Sequence, residues 1–393
     1  MRVSLVTETY LPQVNGVSRT LSQLVAHLAE MGDTVQLIHP DYHAPVENEA
    51  AGVRTYRVPS MVLPFYKELH LPIPPFGRVQ RALDAFRPDL IHIATEATLG
   101  LSLLRHAFRR SYPVVSSFHT NFDQYSDHYR VGWAKGTIWR YLRWFHNRTI
   151  ETYVPSRTTI ADLEARGFER LVLWPRGVDG DLFRPDRPGR ESVRRALGFR
   201  PEDVVIGYVG RIAVEKNVGY LAEALARVGA ARENVRFLFV GDGPSRGEVE
   251  RRMGPKARFV GYRSGADLAD HYAAADLFAF SSLTETFGNV ILEAMASGLP
   301  VVALGAGGVA DTVQPGLTGL LIDPEAPAQQ FADALLALVD NPDRRRRTAE
   351  AAREYALSQT WSAIMEALRQ RYLAILSAPS ERISMPALAG SGT

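Results

Sequence analysis

Two carboxylates, Glu285 and Glu293, stand eight positions apart around Gly288, Asn289 and Val290, where an apolar strand closing in Ser281-Ser282 gives way to a helix. The N–H groups of Gly288, Asn289 and Val290 at such a helix start have no partner within the helix. Helped by the helix dipole, they suit a phosphate. Glu285, in the loop, then lies beside whatever is joined to that phosphate. Glu293, a turn into the helix on its inward face, can accept hydrogen bonds from a diol such as a ribose. The chemistry implied is that of a nucleotide sugar. The plain alternative is an amphipathic helix with two solvated carboxylates, and this pair alone does not separate the two readings.

Other segments add candidates. The loop Pro12-Gln13-Val14-Asn15-Gly16-Val17-Ser18 follows a short apolar run and opens a helix, and Gly16 lets backbone N–H groups approach a diphosphate. The alternative here is an ordinary turn with an N-cap at Ser18. The loop holds no G-x-G-x-x-G, which counts against a dinucleotide cofactor. His119 ends the run Val114 to Phe118 and is placed to hydrogen-bond a sugar hydroxyl or to be a structural histidine; Asp123, four residues on, is a candidate for the acceptor side. Arg211 and Lys216 follow another strand, and together a planar fork and a compact ammonium suit a diphosphate. Lys216 is one of only four lysines, with Lys67, Lys135 and Lys256, so it is not background usage. Their alternative is an exposed salt bridge with Glu215. Gly305 to Gly308, before Val309-Ala310-Asp311, is a further glycine-rich loop. No Asp-x-Asp is placed to hold a divalent ion, and the expectation is a metal-independent site with no cofactor.

Glu285, Thr286, Phe287, Gly288, Asn289, then Glu293-Ala294-Met295-Ala296, Gly298, Pro300 and Val301 resemble the signature of the retaining glycosyltransferases of family 4, which have the GT-B fold. Asn15-Gly16-Val17, Phe118-His119-Thr120, Gly177-Val178-Asp179, Gly210-Arg211 with Lys216, and Gly241-Asp242-Gly243-Pro244 extend the resemblance over roughly residues 1 to 375. The resemblance implies catalytic roles for His119, Arg211, Lys216 and Glu285. It implies donor binding by Gly16, Arg211, Lys216, Gly243, Phe287, Gly288, Asn289, Val290 and Glu293, with the loop at Gly305 closing against the donor. Arg211 and Lys216 would bind the diphosphate and stabilise the charge growing on the leaving group. Glu285 would position sugar hydroxyls while the leaving phosphate takes the acceptor's proton. Trp174-Pro175-Arg176-Gly177-Val178-Asp179 and Phe118-His119-Thr120 are similar to the branch of GDP-mannose-dependent α-mannosyltransferases and sulfoquinovosyl diacylglycerol synthases. The implied donor is GDP-mannose, with a UDP-sugar second, and the acceptor a lipid, glycolipid or glycan. A nucleotide-sugar 2-epimerase of the same fold and a non-catalytic binder are the readings from other classes.

At 393 residues, 46% apolar and 22% charged, the chain suits two globular domains. A net charge of +2 gives no strong pull toward nucleic acid. The absence of cysteine excludes disulfides, thiolate metal sites and a cysteine nucleophile. No apolar run reaches the length of a spanning helix, and Met1 leads directly into a strand, so a cytoplasmic protein is expected, at the inner face of the cell membrane if it binds lipid. The segment Gly132 to Arg148 holds three tryptophans, Trp133, Trp139 and Trp144, among cations. It reads either as a helix at an anionic lipid surface or as a helix packing its aromatics inward with arginines in water.

Strand and helix patterns alternate along the whole chain, which predicts parallel, doubly wound sheets. Strands are expected at Val3 to Thr7, Thr34 to Ile38, Leu90 to Ile93, Val114 to Phe118 and Thr152 to Val154. After a Gly, Asp and Pro-rich break at Gly177 to Gly189 they resume at Val204 to Val209, Val235 to Val240, Arg258 to Val260, Leu277 to Phe280, Pro300 to Ala303 and Leu320 to Ile322. The expected division is an acceptor-side domain over 1–180, a donor-binding domain over 181–360, a helix over 361–377 returning to the first domain, and a disordered tail over 378–393. The two domains are expected to face each other across a cleft, with the motifs at the carboxyl ends of strands.

Overall fold

The computed structural model of the protein describes residues 1–13, 15–42, 51–63, 66–119 and 135–378. Thr120, Asp123, Trp133 and the tail beyond Ala378 lie outside them. The chain divides into two compact units, one of residues 1–175 with 362–393, the other of 176–361.

The first unit contains β1 (Arg2–Val6), β2 (Thr34–Pro40), β3 (Val53–Val58), β4 (Ser60–Leu63), β5 (Tyr66–Pro72), β6 (Leu90–Ile93), β7 (Val114–Ser117), β8 (Thr152–Val154) and β9 (Leu171–Leu173). Seven of these form a parallel sheet in the order β3-β2-β1-β6-β7-β8-β9, while β4 and β5 make a separate antiparallel hairpin. Continuous apolar runs fit a sheet covered on both faces, and β6 and β7 are buried along their whole length. The two edge strands β3 and β9 are half exposed. Short or alternating, they carry little of the apolar signal from which the inner strands are read, and sequence periodicity passes over both.

The second unit contains β10 (Val204–Val209), β11 (Val235–Val240), β12 (Ala257–Phe259), β13 (Leu277–Phe280), β14 (Val301–Leu304) and β15 (Gly319–Ile322), a parallel sheet in the order β12-β11-β10-β13-β14-β15. Both sheets therefore start at a central strand, grow to one side, and then resume on the other. The topological switch points fall between β1 and β6 and between β10 and β13. Residues 177–189 carry no regular helix or strand, yet Val178 and Phe183 are buried in the second unit's core. Glycine and proline interrupt the periodicity there without removing the apolar anchors.

The helix Lys135–His146 packs inward. Leu142 and Phe145 are buried, Trp139 lies 6.1 Å from Phe168 and 6.4 Å from Phe118 by ring centroids, and Trp144 stacks on Tyr141 at 6.1 Å. Arg140 and Arg143 face water. Of the two sequence readings of this segment, the described residues follow the inward-packed one. Among them no helix is long and apolar enough to cross a membrane.

The last helix, Trp361–Ser377, is separated from Pro342–Ser358 by a break at Gln359-Thr360, where the Val178 N–H donates to the Gln359 carbonyl at 2.9 Å. From Ser362 it belongs to the first unit. Arg369 donates to Asp33 at 2.6 Å, and His27 pairs with Glu366 at 2.9 Å. Asp33 is buried and also takes the Met1 ammonium at 2.7 Å, so removing the guanidinium leaves a desolvated carboxylate with one of its two counter-charges. Arg369→Met is expected to lower stability by about 2–4 kcal/mol in urea unfolding. A loss within the ~0.5 kcal/mol typical of a surface substitution would contradict that account of the helix's anchoring.

Candidate active site

At the carboxyl ends of β10 and β13 the second unit brings two sequence candidates into contact. Lys216 Nζ donates to Glu285 Oε1 at 2.5 Å, across the switch point, with the two side chains 24% and 19% exposed. This is where open α/β sheets bind ligands, because the helices leaving the central strands on opposite faces leave a crevice at the loops. The loop after β13 holds Lys216 in place. Ser281 Oγ donates to the carbonyls of Lys216 and Asn217 at 3.0 and 3.1 Å, and Thr284 Oγ1 to that of Glu215 at 3.2 Å. Asn217 sits in the left-handed region at φ 53°, a conformation that asparagine tolerates.

Arg211 follows β10 with its carbonyl accepting from Tyr208 at 2.8 Å, and burial pushes that phenol well above its ordinary range, so the hydroxyl stays a donor. The Arg211 guanidinium is more than half exposed and reaches Glu215 at 3.5 Å. That much of the surface-pair alternative is present, and such pairs contribute at most about 1 kcal/mol. Gly243 lies against this loop so closely that a Cβ there would stand 2.3 Å from the Ile212 carbonyl oxygen. Ile212 in turn donates to the Asp242 carbonyl at 2.9 Å.

The helix Asn289–Ala296 begins at Gly288, whose φ of 82° is one that a side chain would strain, and no side chain caps it. Ile291 N–H donates to the Gly288 carbonyl at 2.9 Å, while the N–H groups of Asn289 and Val290, in the first turn, have no partner within the helix. Phe287 is buried in the unit's core beside this start. Glu293 is 4% exposed and its Oε2 accepts from Tyr272 at 3.0 Å. Tyr272 has no sequence signal that ties it to the motif. The glycine-rich loop is tied in by its backbone, Gly308 N–H donating to the Glu285 carbonyl at 2.8 Å.

In the first unit the helix Gly16–Glu30 is differently made. Its N-cap is Asn15, not Ser18: Asn15 Oδ1 accepts from the N–H groups of Val17 and Ser18 at 3.0 and 2.8 Å, and Ser18 Oγ accepts from Asn15 N–H at 3.2 Å. A side-chain amide one residue before the glycine reaches both donors. The Asn15 amide oxygen thus takes the N–H groups of Val17 and Ser18 and not that of Gly16. His119 is half-buried, its Nε2 2.8 Å from Ser117 Oγ and its ring edge-on to Trp174 at 5.7 Å.

Motif reading missed a carboxylate pair at the first unit's own switch point. Glu8 follows β1 and accepts from Leu99 and Ala97 N–H at 2.7 and 3.2 Å; Glu96 follows β6 and is 8% exposed. Burial raises both carboxyls, and burial together with the Glu8 charge pushes Glu96 up to about 8. Position after a strand was the available signal, since both follow apolar runs. Among the described residues no three His, Asp or Glu side chains gather as metal ligands.

Between the ordinary carboxylate range and about pH 8 the folded chain holds a Glu96 proton that the unfolded chain has released, so stability falls as pH rises through that window. Glu96→Gln, which is neutral throughout, is therefore expected to raise the unfolding midpoint relative to the parent more at about pH 8.5 than at about pH 5. An equal difference at both would contradict the raised carboxyl.

Two family models match the chain, "Glycosyltransferase Family 4" over residues 14–182 and "Glycosyl transferases group 1" over 203–341. A GDP-mannose-dependent alpha-mannosyltransferase of Mycobacterium tuberculosis is 38% identical over 95% of this chain and 97% of its own length. The sulfoquinovosyl transferase SQD2 of Arabidopsis thaliana is 33% identical over 91% of this chain and 70% of its own. Among solved structures, the sucrose-phosphate synthase of Thermosynechococcus elongatus superposes with a TM-score of 0.76 at 23% identity, over 96% of this chain and 100% of that one. Anabaena HepE in complex with UDP and glucose superposes with a TM-score of 0.74 at 21% identity, covering 95% and 100%. With its two parallel sheets and these matches, the chain belongs to glycosyltransferase family 4, has the GT-B fold, and is a hexosyltransferase.

Proposed function

We propose that the protein transfers mannose from GDP-mannose to an acceptor hydroxyl of a lipid, glycolipid or glycan, with the α configuration retained. The observation that carries the reading is the Lys216–Glu285 pair beside the uncapped helix start at Gly288. A diphosphate carries more charge than one carboxylate and competes for the Lys216 ammonium, turning Glu285 toward the sugar hydroxyls. Arg211 and the N–H groups of Asn289 and Val290 take phosphate oxygens, and Gly16 adds a backbone donor. Glu293, held by Tyr272, accepts from the ribose, and Gly243 keeps the Arg211 loop in register. His119 donates to a sugar hydroxyl.

The bond from the anomeric carbon to the leaving phosphate breaks while the acceptor oxygen bonds to the same face, and the acceptor's proton passes to the phosphate oxygen that leaves. Stabilising that oxygen and positioning the reactants supply the rate enhancement. The choice of guanine and mannose is supported by two relatives named GDP-mannose-dependent alpha-mannosyltransferases, 38% and 37% identical over nearly the whole chain. A UDP-sugar donor is the second reading, on the likeness to the Arabidopsis sulfoquinovosyl transferase. Contact with an anionic membrane would have to use surfaces other than the inward-packed aromatics of Lys135–His146.

Sugar release and transfer from GDP-mannose and from UDP-glucose, UDP-glucuronate and UDP-sulfoquinovose, each with and without EDTA, test the reading. Turnover is expected with GDP-mannose, undiminished by chelation. Turnover with a UDP-sugar alone would transfer the account to the second donor, and loss on chelation would end the metal-independent one. Glu285→Gln is expected to lower kcat by on the order of a hundredfold with an unchanged unfolding midpoint; near-parental kcat would remove Glu285 from the mechanism.

A further inference from the structure

Behind His119 runs a row of buried polar groups that the transfer reaction does not itself require. Tyr372 Oη lies 2.6 Å from His92 Nδ1, His92 Nε2 lies 2.8 Å from Ser117 Oγ, and Ser117 Oγ lies 2.8 Å from His119 Nε2. Tyr372, His92 and Ser117 are each fully buried, and they come from the last helix, β6 and β7. We propose that the Tyr372 hydroxyl sets the direction of this row, so that His119 is held as the tautomer protonated at Nδ1, with its Nε2 lone pair occupied by the Ser117 hydroxyl.

The direction follows from donor and acceptor accounting. With His92 neutral, three arrangements keep every contact hydrogen-bonded, because the Ser117 oxygen can accept twice. In one, Tyr372 donates to His92 Nδ1, His92 Nε2–H donates to Ser117, and Ser117 donates to His119 Nε2. In a second every bond is reversed, and Tyr372 accepts from His92; in a third both imidazoles donate to Ser117, whose buried O–H is then left without an acceptor at a similar cost. Among the described residues His92 is the only hydrogen-bond partner of Tyr372. The reversed row would therefore leave a phenolic O–H buried without an acceptor, which costs about 1–3 kcal/mol. The forward row leaves only an oxygen lone pair unused. Burial keeps the two controlling groups in the forms this requires, lowering His92 to about 3 and raising the Tyr372 phenol, so the imidazole is neutral and the hydroxyl protonated.

A histidine held this way offers an N–H from Nδ1 and has no lone pair left on Nε2 to take a proton. On the reading of His119 as a sugar-side residue, on which this rests, it serves as a fixed neutral donor and not as a base. Tyr372, His92 and Ser117 are positioning residues, acting through it.

Long-range 1H–15N correlation spectra of the full-length protein labelled at histidine read the tautomers directly, with assignments from His119→Gln and His92→Gln. The expected pattern is a proton on Nδ1 of His119 and on Nε2 of His92; should the His92 variant fail to fold, His119 alone decides. Ser117→Ala is expected to move His119 to the Nε2–H form that an unconstrained imidazole favours, leave the histidines outside the row unchanged, and lower kcat about tenfold with donor KM held. A proton on Nε2 of His119 in the parent, or a His119 pattern indifferent to Ser117→Ala, would overturn the row. The expected tautomers with parental kcat in His119→Gln would uphold the row and remove His119 from the sugar instead.

Discussion

Between β10 and β13 the direction of winding reverses, so the chain leaves these two neighbouring strands toward opposite sides of the sheet. An ion pair joins the loops that follow them, Lys216 to Glu285 at 2.5 Å. Much of the surrounding loop structure holds that pair in position. Ser281 and Thr284 fix the backbone that carries Lys216, the Gly308 N–H fixes the backbone of Glu285, and Gly243 lets the Arg211 loop close against its neighbour. On the proposed reading, the paired Lys216 ammonium is preorganised for a diphosphate that displaces the Glu285 carboxylate. The strands do not make this site; their order does.

The two sheets repeat the same winding but use their switch points differently. In the first unit Asn15 takes two first-turn donors of its helix, and the crevice residues are two buried carboxylates, Glu8 and Glu96, which burial inclines toward protonation, Glu96 further by the Glu8 charge. In the second the helix start at Gly288 has no cap and the crevice carries cations. On the proposed reading the uncapped, cationic crevice of the second unit takes most of the diphosphate's charge. The two crevices thus differ electrostatically before any substrate is considered.

Inner strands and the motif positions were legible in the sequence, because parallel strands buried on both faces leave continuous apolar runs and the motifs follow them. Edge strands β3 and β9 were not, since half-exposed residues dilute that signal. The segment 177–189 looked like a break because glycine and proline obscured two apolar anchors, Val178 and Phe183. At the site, residue types announced Lys216 and Glu285 as separate candidates for phosphate and sugar. Their contact could not be read, since a salt bridge across 69 positions has no local pattern. The same holds for Tyr272 beneath Glu293, and for Tyr372 and His92 behind His119. Such supporting residues carry no motif because their role depends only on where the fold delivers them.

The account stands on a diphosphate displacing Glu285 from Lys216, and equilibrium binding of GDP by calorimetry, compared between the parent and Lys216→Ala, tests it most directly. The account predicts binding to the parent and an affinity at least about tenfold weaker in the variant, with the gap narrowing as salt is raised. Equal affinity in both proteins would contradict it, because the pair at the switch point would then hold the loops together without facing the donor.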